Sequence, residues 1–368
     1  MNEVEELKRF VVVHARGQQI PGQEELLAGI RTDEGDAPGS WVGEWVRAGE
    51  AHERGGRLLE AGRHYAMARF PYVDGPARQD AQDRCVRVYE QWRSQGSGIE
   101  RLELDLPGGR VACWAAGLDG ARRAPLLVVM GGIVTVKEQW GPALTRLARQ
   151  GFAALVTELP GVGENAQRYE PDSWRMLSGV LDALADRADV SQTYAMALSF
   201  SGNLALRCAA EDDRIRGIVT TGAPVEAFFT DPDWWPRVPR ITVDTLAHLT
   251  GASGGALREE LAGFALSHKQ LSGLGIPVGY VASGRDEIIP PADPRTLAEC
   301  VADCRTLELD DLHGAPHHVR ETQLWCVATL LRMRAKRSVP AAVIGLLRGA
   351  LAVRRRLAGA PRPTGPAG

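Results

Sequence analysis

The spacing of hydrophobic and polar positions divides the chain into a helical first part and a second part of recurring short apolar runs. From about Trp41 to Gln95 the apolar residues fall at helical spacing. Residues 1–40 carry a weak first helix followed by a loop over Arg31–Ser40. This pattern predicts an all-helical accessory domain over residues 1–98.

The pattern changes at Ile99. Residues 101–106 alternate between polar and apolar positions, a Pro-Gly-Gly turn follows, and residues 110–116 extend again, as in a β-hairpin. Short apolar runs separated by helical stretches then predict strands at 125–130, 152–159, 193–198, 215–221 and 277–282, and residues 305–309 predict a more polar last strand. This alternation predicts an α/β fold with a mostly parallel sheet flanked by helices.

The strand rhythm stops between residues 224 and 274, where a helix-like stretch extends from Ile241 to Ser267. We interpret this segment as a lid inserted over the carboxyl ends of the strands, where ligands bind in open α/β sheets. The α/β domain is therefore expected over 99–340. Residues 341–368 are predicted to form a basic helix and a disordered tail. Docking of that helix on the domain is favoured over binding to a membrane surface.

Composition narrows the class of protein. The 368 residues have a net charge of -3, which does not indicate a nucleic-acid partner. The acidic start, Met1–Glu6, lacks the apolar core of a secretory signal, and no apolar run approaches the length of a membrane span. The six cysteines are scattered, as free thiols of a reducing compartment would be. We therefore expect a cytoplasmic protein without a membrane partner.

Residues 194–206 predict a strand, a tight turn and a helix, with Ser199 at the tip of the turn. Such a turn pushes a serine out of the sheet and aims the next N–H and the helix N-terminus at its oxygen. The positions two before and two after the serine must be small, and glycine is usual at both. Here they are Ala197 and Ser201. An ordinary strand–helix junction has a similar pattern, so other residues must decide whether Ser199 is a nucleophile.

A serine nucleophile needs a base and an acid that orients the base, and in such sheets the chain order is Ser, acid, His. Asp286 follows one predicted strand, and His313 follows the next one. Glu287 is a rival acid. The three residue types occur in the expected order, each at a strand's carboxyl end, which favours a Ser199–Asp286–His313 triad.

Two further histidines, His317 and His318, are rivals to His313 as the base. With His313 and Asp311 they are alternatively a candidate metal cluster. We favour the triad and expect no metal.

The segment 130–138 follows the first long buried strand and begins Met-Gly-Gly, which allows the backbone to approach a substrate closely. The expected donors to a tetrahedral oxyanion are the backbone N–H of Phe200 and that of Gly132 or Ile133. Neither a G-K-[ST] phosphate loop nor a G-x-G-x-x-G fingerprint is present at this position. We therefore expect no nucleotide and no other cofactor.

Together these motifs resemble the α/β-hydrolases, and more narrowly the branch of the fermentation–respiration-switch-type esterases and 2,6-dihydroxypseudooxynicotine hydrolase. The segments that carry the resemblance are Gly131-Gly132 with Lys137-Glu138, residues 158–164, the Ser199 turn, residues 286–290 and His313-Gly314. The resemblance covers roughly Trp41 to Leu331, and that branch also carries an N-terminal helical domain. It implies that Ser199 is the nucleophile, Asp286 the acid and His313 the base.

We expect a hydrolase that cleaves an ester, or a carbon–carbon bond next to a ketone, in a small molecule of secondary metabolism. One alternative is a lyase of the same fold that eliminates an acyloxy group such as acetate from a polyketide intermediate. A second alternative is a non-catalytic binding protein that uses its tetratricopeptide-like hairpin, residues 56–68, as a contact surface.

The aromatic residues are expected either to line an apolar cavity or to lie in the core. They are Trp41, Trp45, Phe228, Phe229, Trp234 and Trp235. The helical segment Trp41–Gln95 is expected to close over the strand ends and to help form the pocket or a homodimer.

Overall fold

The computed structural model describes residues 2–118, 120, 123–335 and 338–359. The helices before the first strand are α1 (Val4–Gly17), α2 (Gln23–Gly29), α3 (Trp41–Arg54), α4 (Leu58–Ala68) and α5 (Pro76–Arg93). The sequence predicted one helix before residue 40 and missed α2, which is too short to show a clear period. The division at residue 98 stays a prediction.

The start of α3 shows why this part of the chain is helical. The side chain of Ser40 accepts a hydrogen bond from the Gly43 N–H, which caps the helix. Trp41 and Trp45 are fully buried, and the indole N–H of Trp41 donates to the carbonyl of Met67 at the end of α4. Both tryptophans therefore belong to the core.

The sheet has eight strands: β1 (Glu100–Leu106), β2 (Gly109–Ala116), β3 (Pro125–Met130), β4 (Ala153–Thr157), β5 (Asp189–Ala197), β6 (Ile215–Thr221), β7 (Val278–Ser283) and β8 (Cys304–Leu309). Their order is β1-β2-β4-β3-β5-β6-β7-β8. The pairs β1–β2 and β2–β4 are antiparallel, and the remaining pairs are parallel. The predicted α/β fold class is confirmed.

Helices join successive strands: α6 (Leu144–Arg149), α7 (Arg175–Leu184) and α8 (Phe200–Glu211). Between β6 and β7 lie α9 (Ala227–Thr230), α10 (Arg240–Thr250), α11 (Gly254–Ala262) and α12 (His268–Ser272), followed after β7 by α13 (Ala292–Cys300). The carboxylate of Asp293 is fully buried and accepts the backbone N–H groups of residues 225–228. It anchors the start of the segment that the sequence interpreted as a lid.

The last helices are α14 (Val319–Arg334) and α15 (Val339–Gly359). Helix α15 packs on α14, with Ala341 buried and Arg348 within 3.5 Å of Glu321. The predicted docking of this helix is therefore observed at Ala341 and Arg348. The predicted tail from residue 360 onward lies outside the described residues. Within the described ranges, none of the helices has the length and apolar character needed to cross a membrane. All six cysteines are free thiols, and four of them are buried.

Candidate active site

The turn between β5 and α8 holds Ser199 in a strained conformation. Its backbone angles, φ 55° and ψ -129°, are rarely adopted by residues other than glycine. Such a strained conformation persists only when the surrounding structure holds it. The Ser199 N–H donates to the carbonyl of Thr221 at 2.8 Å, which ties the turn to the end of β6. The hydroxyl of Ser199 is thus presented at the carboxyl edge of the sheet.

The structure brings Ser199 together with the predicted base and acid. Ser199 Oγ lies 3.1 Å from His313 Nε2, and His313 Nδ1 lies 3.0 and 2.9 Å from the two carboxylate oxygens of Asp286. Asp286 Oδ1 also accepts the N–H groups of Ile288 and Ile289. These bonds fix the carboxylate, which in turn orients the imidazole.

The electrostatics of His313 are set by two carboxylates. Burial of the ring opposes protonation, but the charges of Asp286 and Glu287 outweigh burial and raise the pKa of His313 above its ordinary value of 6.5. The rival acid, Glu287, does not bond the ring, because its Oε2 accepts the His313 backbone N–H at 2.9 Å. Glu287 therefore positions the backbone of the loop and adds negative charge.

The rival histidines point to a different carboxylate. His317 Nδ1 lies 2.7 Å from Asp311 Oδ1, and His318 Nδ1 lies 2.6 Å from Asp311 Oδ2. Asp311 is fully buried, and it also accepts the His317 backbone N–H. Of the three histidines in this loop, His313 is the one that reaches Ser199.

The segment after β3 lies directly beside Ser199. A Cβ atom on Gly132 would stand 3.1 Å from the Cβ of Ser199, so glycine permits this close approach. Gly132 and Ile133 line the same cavity as Ser199. Phe200 is the first residue of α8, where helix geometry leaves the backbone N–H without an intrahelical partner. The residues whose N–H groups are expected to bind an oxyanion thus line the cavity together with Ser199.

Ser201 stands at one of the two positions around Ser199 where glycine is usual, and its side chain has a defined partner. Ser201 is fully buried, and its hydroxyl donates a hydrogen bond to the carbonyl of Gly131. It therefore fastens the start of α8 to the glycine segment. At Gly202 a Cβ atom would come within 2.1 Å of Thr220 Oγ1 and 2.6 Å of the Ala223 Cβ. The steric demand for glycine therefore falls on position 202.

A buried ion cluster, consisting of Lys137, Glu138, Glu158, Glu164 and Arg101, supports the segment after β3. Lys137 Nζ lies 2.9 Å from Glu138, 3.4 Å from Glu158 and 2.6 Å from Glu164. Arg101 holds Glu164 through two hydrogen bonds of 2.9 and 3.0 Å. Sequence reasoning used four of these residues only as marks of resemblance and did not foresee that they meet.

The cluster shifts the pKa values of its members in opposite directions. Burial, together with the charge of Glu138, raises the pKa of Glu158 against the opposing charge of Lys137. For Glu164, burial is outweighed by Arg101 and Lys137, which lower the pKa to about 2. Burial also opposes the charge of Lys137, yet the surrounding carboxylates raise its pKa. Lys137 therefore neutralises carboxylates that would otherwise be buried without a counter-charge.

A cavity of about 200 Å³ opens over Ser199 and His313. The predicted lid contributes Ile241, Thr242 and Thr245 to its wall. None of the six aromatic residues weighed as cavity lining contacts it in the described part of the chain, and Phe228 and Phe229 stack edge-to-face in the core. From the helical segment 41–95, Phe70 is the described residue that lines the cavity.

Helix α1 forms much of the cavity wall instead, which the sequence did not predict. The α1 residues on the cavity, with Gln18 just beyond its end, are Phe10, Val13, His14, Gly17 and Gln18. The available signal was the spacing of Leu7, Phe10 and Val11, which is typical of an amphipathic helix. That spacing predicts that one face of α1 is buried, but it does not identify the part of the fold against which α1 packs.

Comparison with known proteins gives a consistent result. The sequence model of the family described as esterase FrsA-like matches residues 22–313. Esterase FrsA of Salmonella paratyphi B is 26% identical over 295 residues, which represent 74% of this chain and 71% of that protein. The family-model match includes all eight strands, the Ser199 turn, Asp286 and His313.

Two solved structures are similar over most of the chain. Wild-type AbyA5 is 52% identical with a TM-score of 0.91, over 95% of this chain and 100% of that one. The 2,6-dihydroxy-pseudo-oxynicotine hydrolase is 20% identical with a TM-score of 0.69, over 87% of this chain and 95% of that one. The second likeness shows a shared fold. The resemblance inferred from the sequence is confirmed.

Proposed function

Because this chain belongs to the esterase FrsA-like family of α/β-hydrolases, we propose that it hydrolyses an ester, or a carbon–carbon bond next to a ketone, in a small and largely apolar molecule. The observation that carries the proposal is the hydrogen-bonded series from Ser199 through His313 to Asp286 at the base of the cavity. The cavity wall is mostly apolar, which suits such a substrate. We place the reaction in the cytoplasm and in secondary metabolism.

In the proposed first half-reaction, His313 Nε2 takes the proton of Ser199 Oγ as the oxygen attacks the substrate carbonyl carbon. The electron pair of the carbonyl moves to its oxygen, which the N–H groups of Phe200 and of Gly132 or Ile133 stabilise. Collapse of this intermediate breaks the bond to the leaving group. The imidazolium of His313 returns its proton to the leaving oxygen or carbon, and Ser199 remains acylated.

In the second half-reaction, water loses a proton to His313 and attacks the acyl carbon. The acid is released, and Ser199 recovers its proton. Asp286 stays ionised throughout and stabilises the imidazolium. The chain's own residues supply the base, the acid and the oxyanion donors, so the proposed steps use no cofactor.

A lyase that eliminates an acyloxy group is the second candidate. Helices α1 and α10 cover a mostly apolar cavity, which restricts the access of water to Ser199. This favours elimination, because elimination consumes no water. In that reaction His313 removes a proton next to a ketone, the electron pair forms a double bond, and the carbon–oxygen bond to the carboxylate breaks. The carboxylate then leaves with both of its original oxygens.

Product analysis of a β-acetoxy ketone in water enriched in heavy oxygen separates the two reactions. Hydrolysis through an acyl-serine gives a hydroxy ketone and acetate that carries one heavy oxygen. Elimination gives an enone and unlabelled acetate. We expect labelled acetate. Enone with unlabelled acetate, formed faster than in the His313→Ala protein, would contradict hydrolysis in favour of elimination.

The activity should depend on pH through His313. Because the carboxylates raise the pKa of His313, the ring stays protonated to a higher pH than a free histidine and cannot accept the serine proton. We therefore expect kcat/KM for an ester to rise with pH, with a midpoint above 6.5, and then to level off. Asp286→Asn removes one charge and should lower that midpoint. A wild-type midpoint at or below 6.5 would contradict this account.

Replacing Ser201 tests the support of the glycine segment. Ser201→Ala leaves the buried Gly131 carbonyl without its hydroxyl donor, which should cost about 1–3 kcal/mol of unfolding free energy. We expect kcat to fall by about tenfold, less than the loss on removing an oxyanion donor itself. Steady-state kinetics and denaturant unfolding measure both effects. The exposed Ser191, replaced by alanine, is the control, and equal effects of the two variants would disprove the role of Ser201.

A further inference from the structure

His14 on α1 is the feature of the cavity that the proposed mechanism does not use. It lines the cavity together with Ser199 and His313. The match to the family model begins at residue 22, after the end of α1. His14 therefore lies outside the segment that the family match covers.

The imidazole of His14 has no hydrogen-bond partner of its own within the described residues, although its ring packs against Phe70 with the centroids 5.4 Å apart. Burial, with the nearby charges of Arg69 and His313, lowers the pKa of His14 to about 4. The ring is consequently neutral near pH 7 and offers one N–H donor and one nitrogen acceptor. The ring is half-buried and faces the cavity, so a ligand or water there can supply the missing partner.

The charges near His14 favour a ligand oxygen with negative character. Arg69 is 2% exposed and donates to the carbonyls of Pro71 and Val134. Arg69 lies beyond ion-pair distance of every carboxylate in the described chain; Glu158 and Glu138 act on it from farther away, and its own positive charge acts on His14. A positive potential at His14 stabilises an oxygen that gains negative charge and disfavours a cationic group.

The position of His14 is fixed by its helix. Gln18, one turn further on, donates its side-chain N–H to the carbonyl of Gln139 at 3.1 Å, which ties the end of α1 to the segment after β3. An imidazole held in this way is arranged before the substrate arrives. Such pre-organisation is what makes a hydrogen-bond donor on a cavity wall effective toward a developing charge.

We propose that His14 is a substrate-binding residue that donates a ring N–H to a second oxygen of the substrate, the ketone oxygen beyond the one bound near Phe200. The substrate class is then a β-dicarbonyl compound or a β-acyloxy ketone. This inference rests on the proposed function of the same site.

The chemistry explains why a second donor is useful. When the bond between the acyl carbon and the neighbouring carbon breaks, its electron pair forms an enolate whose charge lies on the ketone oxygen. The proton that His313 took from Ser199 then reaches the enolate carbon, which restores the ketone. A neutral imidazole stabilises the enolate oxygen by a hydrogen bond without transferring its own proton, as neutral histidines do elsewhere.

The test compares two ligands in the Ser199→Ala protein, which cannot acylate. Benzoylacetone has two carbonyl oxygens, and benzylacetone is the analogue that lacks one of them. We expect His14→Phe to weaken benzoylacetone binding by about tenfold, which is the loss of one hydrogen bond, and to weaken benzylacetone binding much less. Isothermal titration calorimetry measures both dissociation constants. His14→Gln keeps a donor and should recover most of the affinity for benzoylacetone.

If His14 only supported the structure, His14→Phe would weaken the binding of both ligands equally. Equal losses of affinity therefore overturn the proposal. Equal affinity of the Ser199→Ala protein for the two ketones, including no binding of either, overturns it as well. His52→Phe on α3, outside the cavity, is the matched control and should change neither constant. Should His14→Phe not fold, His14→Ala reports the same contrast. Failure of the hydrolase proposal would be recognised separately, because Ser199 of the wild-type protein would then not react with a fluorophosphonate.

Discussion

Ser199→Ala should lower kcat/KM by about ten-thousandfold or more, the loss typical of removing a triad nucleophile. The Ser199 hydroxyl bonds His313, and alanine can keep the backbone conformation of the turn as well as serine can. The melting temperature should therefore change little. Ester hydrolysis and calorimetry measure the two quantities on the same samples.

Ser201→Ala is the matched control for this substitution, since it removes a hydroxyl two residues away. It should lower kcat by only about tenfold, far less than the loss expected for Ser199→Ala. An inactive Ser201→Ala protein beside an active Ser199→Ala protein would mean that the nucleophile of the turn has been misassigned. His313→Ala should be as damaging as Ser199→Ala, and the double variant no worse than either, because triad members act as a unit.

Lys137→Met should be the most damaging substitution for stability. The side chain of Lys137 is fully buried, and it is the nearest cation to the equally buried Glu158. Removing one partner of a buried ion pair leaves an uncompensated charge and costs about 3–5 kcal/mol. We expect a loss of that size in the free energy of unfolding, measured by denaturant titration.

The control for this effect is Lys269→Met at an exposed position of α12, which should change stability by less than about 0.5 kcal/mol. A second variant separates charge from packing. Lys137→Met combined with Glu158→Gln removes a carboxylate together with its cation and should recover part of the loss. A Lys137→Met protein as stable as the Lys269→Met protein would contradict the role of the ion cluster.

The sheet and the site residues on its strand ends follow from short-range patterns. Ser199, Asp286 and His313 each follow a predicted strand, and the carboxyl ends of parallel strands meet at one edge of the sheet. Their chain order and this rule were enough to expect them at one place. The start of β5 was predicted four residues late because its first four residues, Asp189 to Gln192, are mostly polar and are exposed or half-buried.

The parts that the sequence did not predict depend on contacts between distant segments. The placement of α1 over the cavity, and with it His14, results from packing against elements far along the chain. The ion cluster joins Arg101, Lys137 and the segment 158–164, which no local pattern relates. For Trp41 and Trp45 the sequence offered both a cavity and the core, and the structure places both in the core, where Trp41 bonds the end of α4.

Covalent labelling by a fluorophosphonate, followed by peptide mapping, tests most directly whether Ser199 is an activated nucleophile. We expect one adduct per chain, on Ser199, formed faster as pH rises through the pKa of His313 and absent from the His313→Ala protein. An adduct on Ser201, or no adduct in a folded wild-type protein, would contradict the proposed hydrolase.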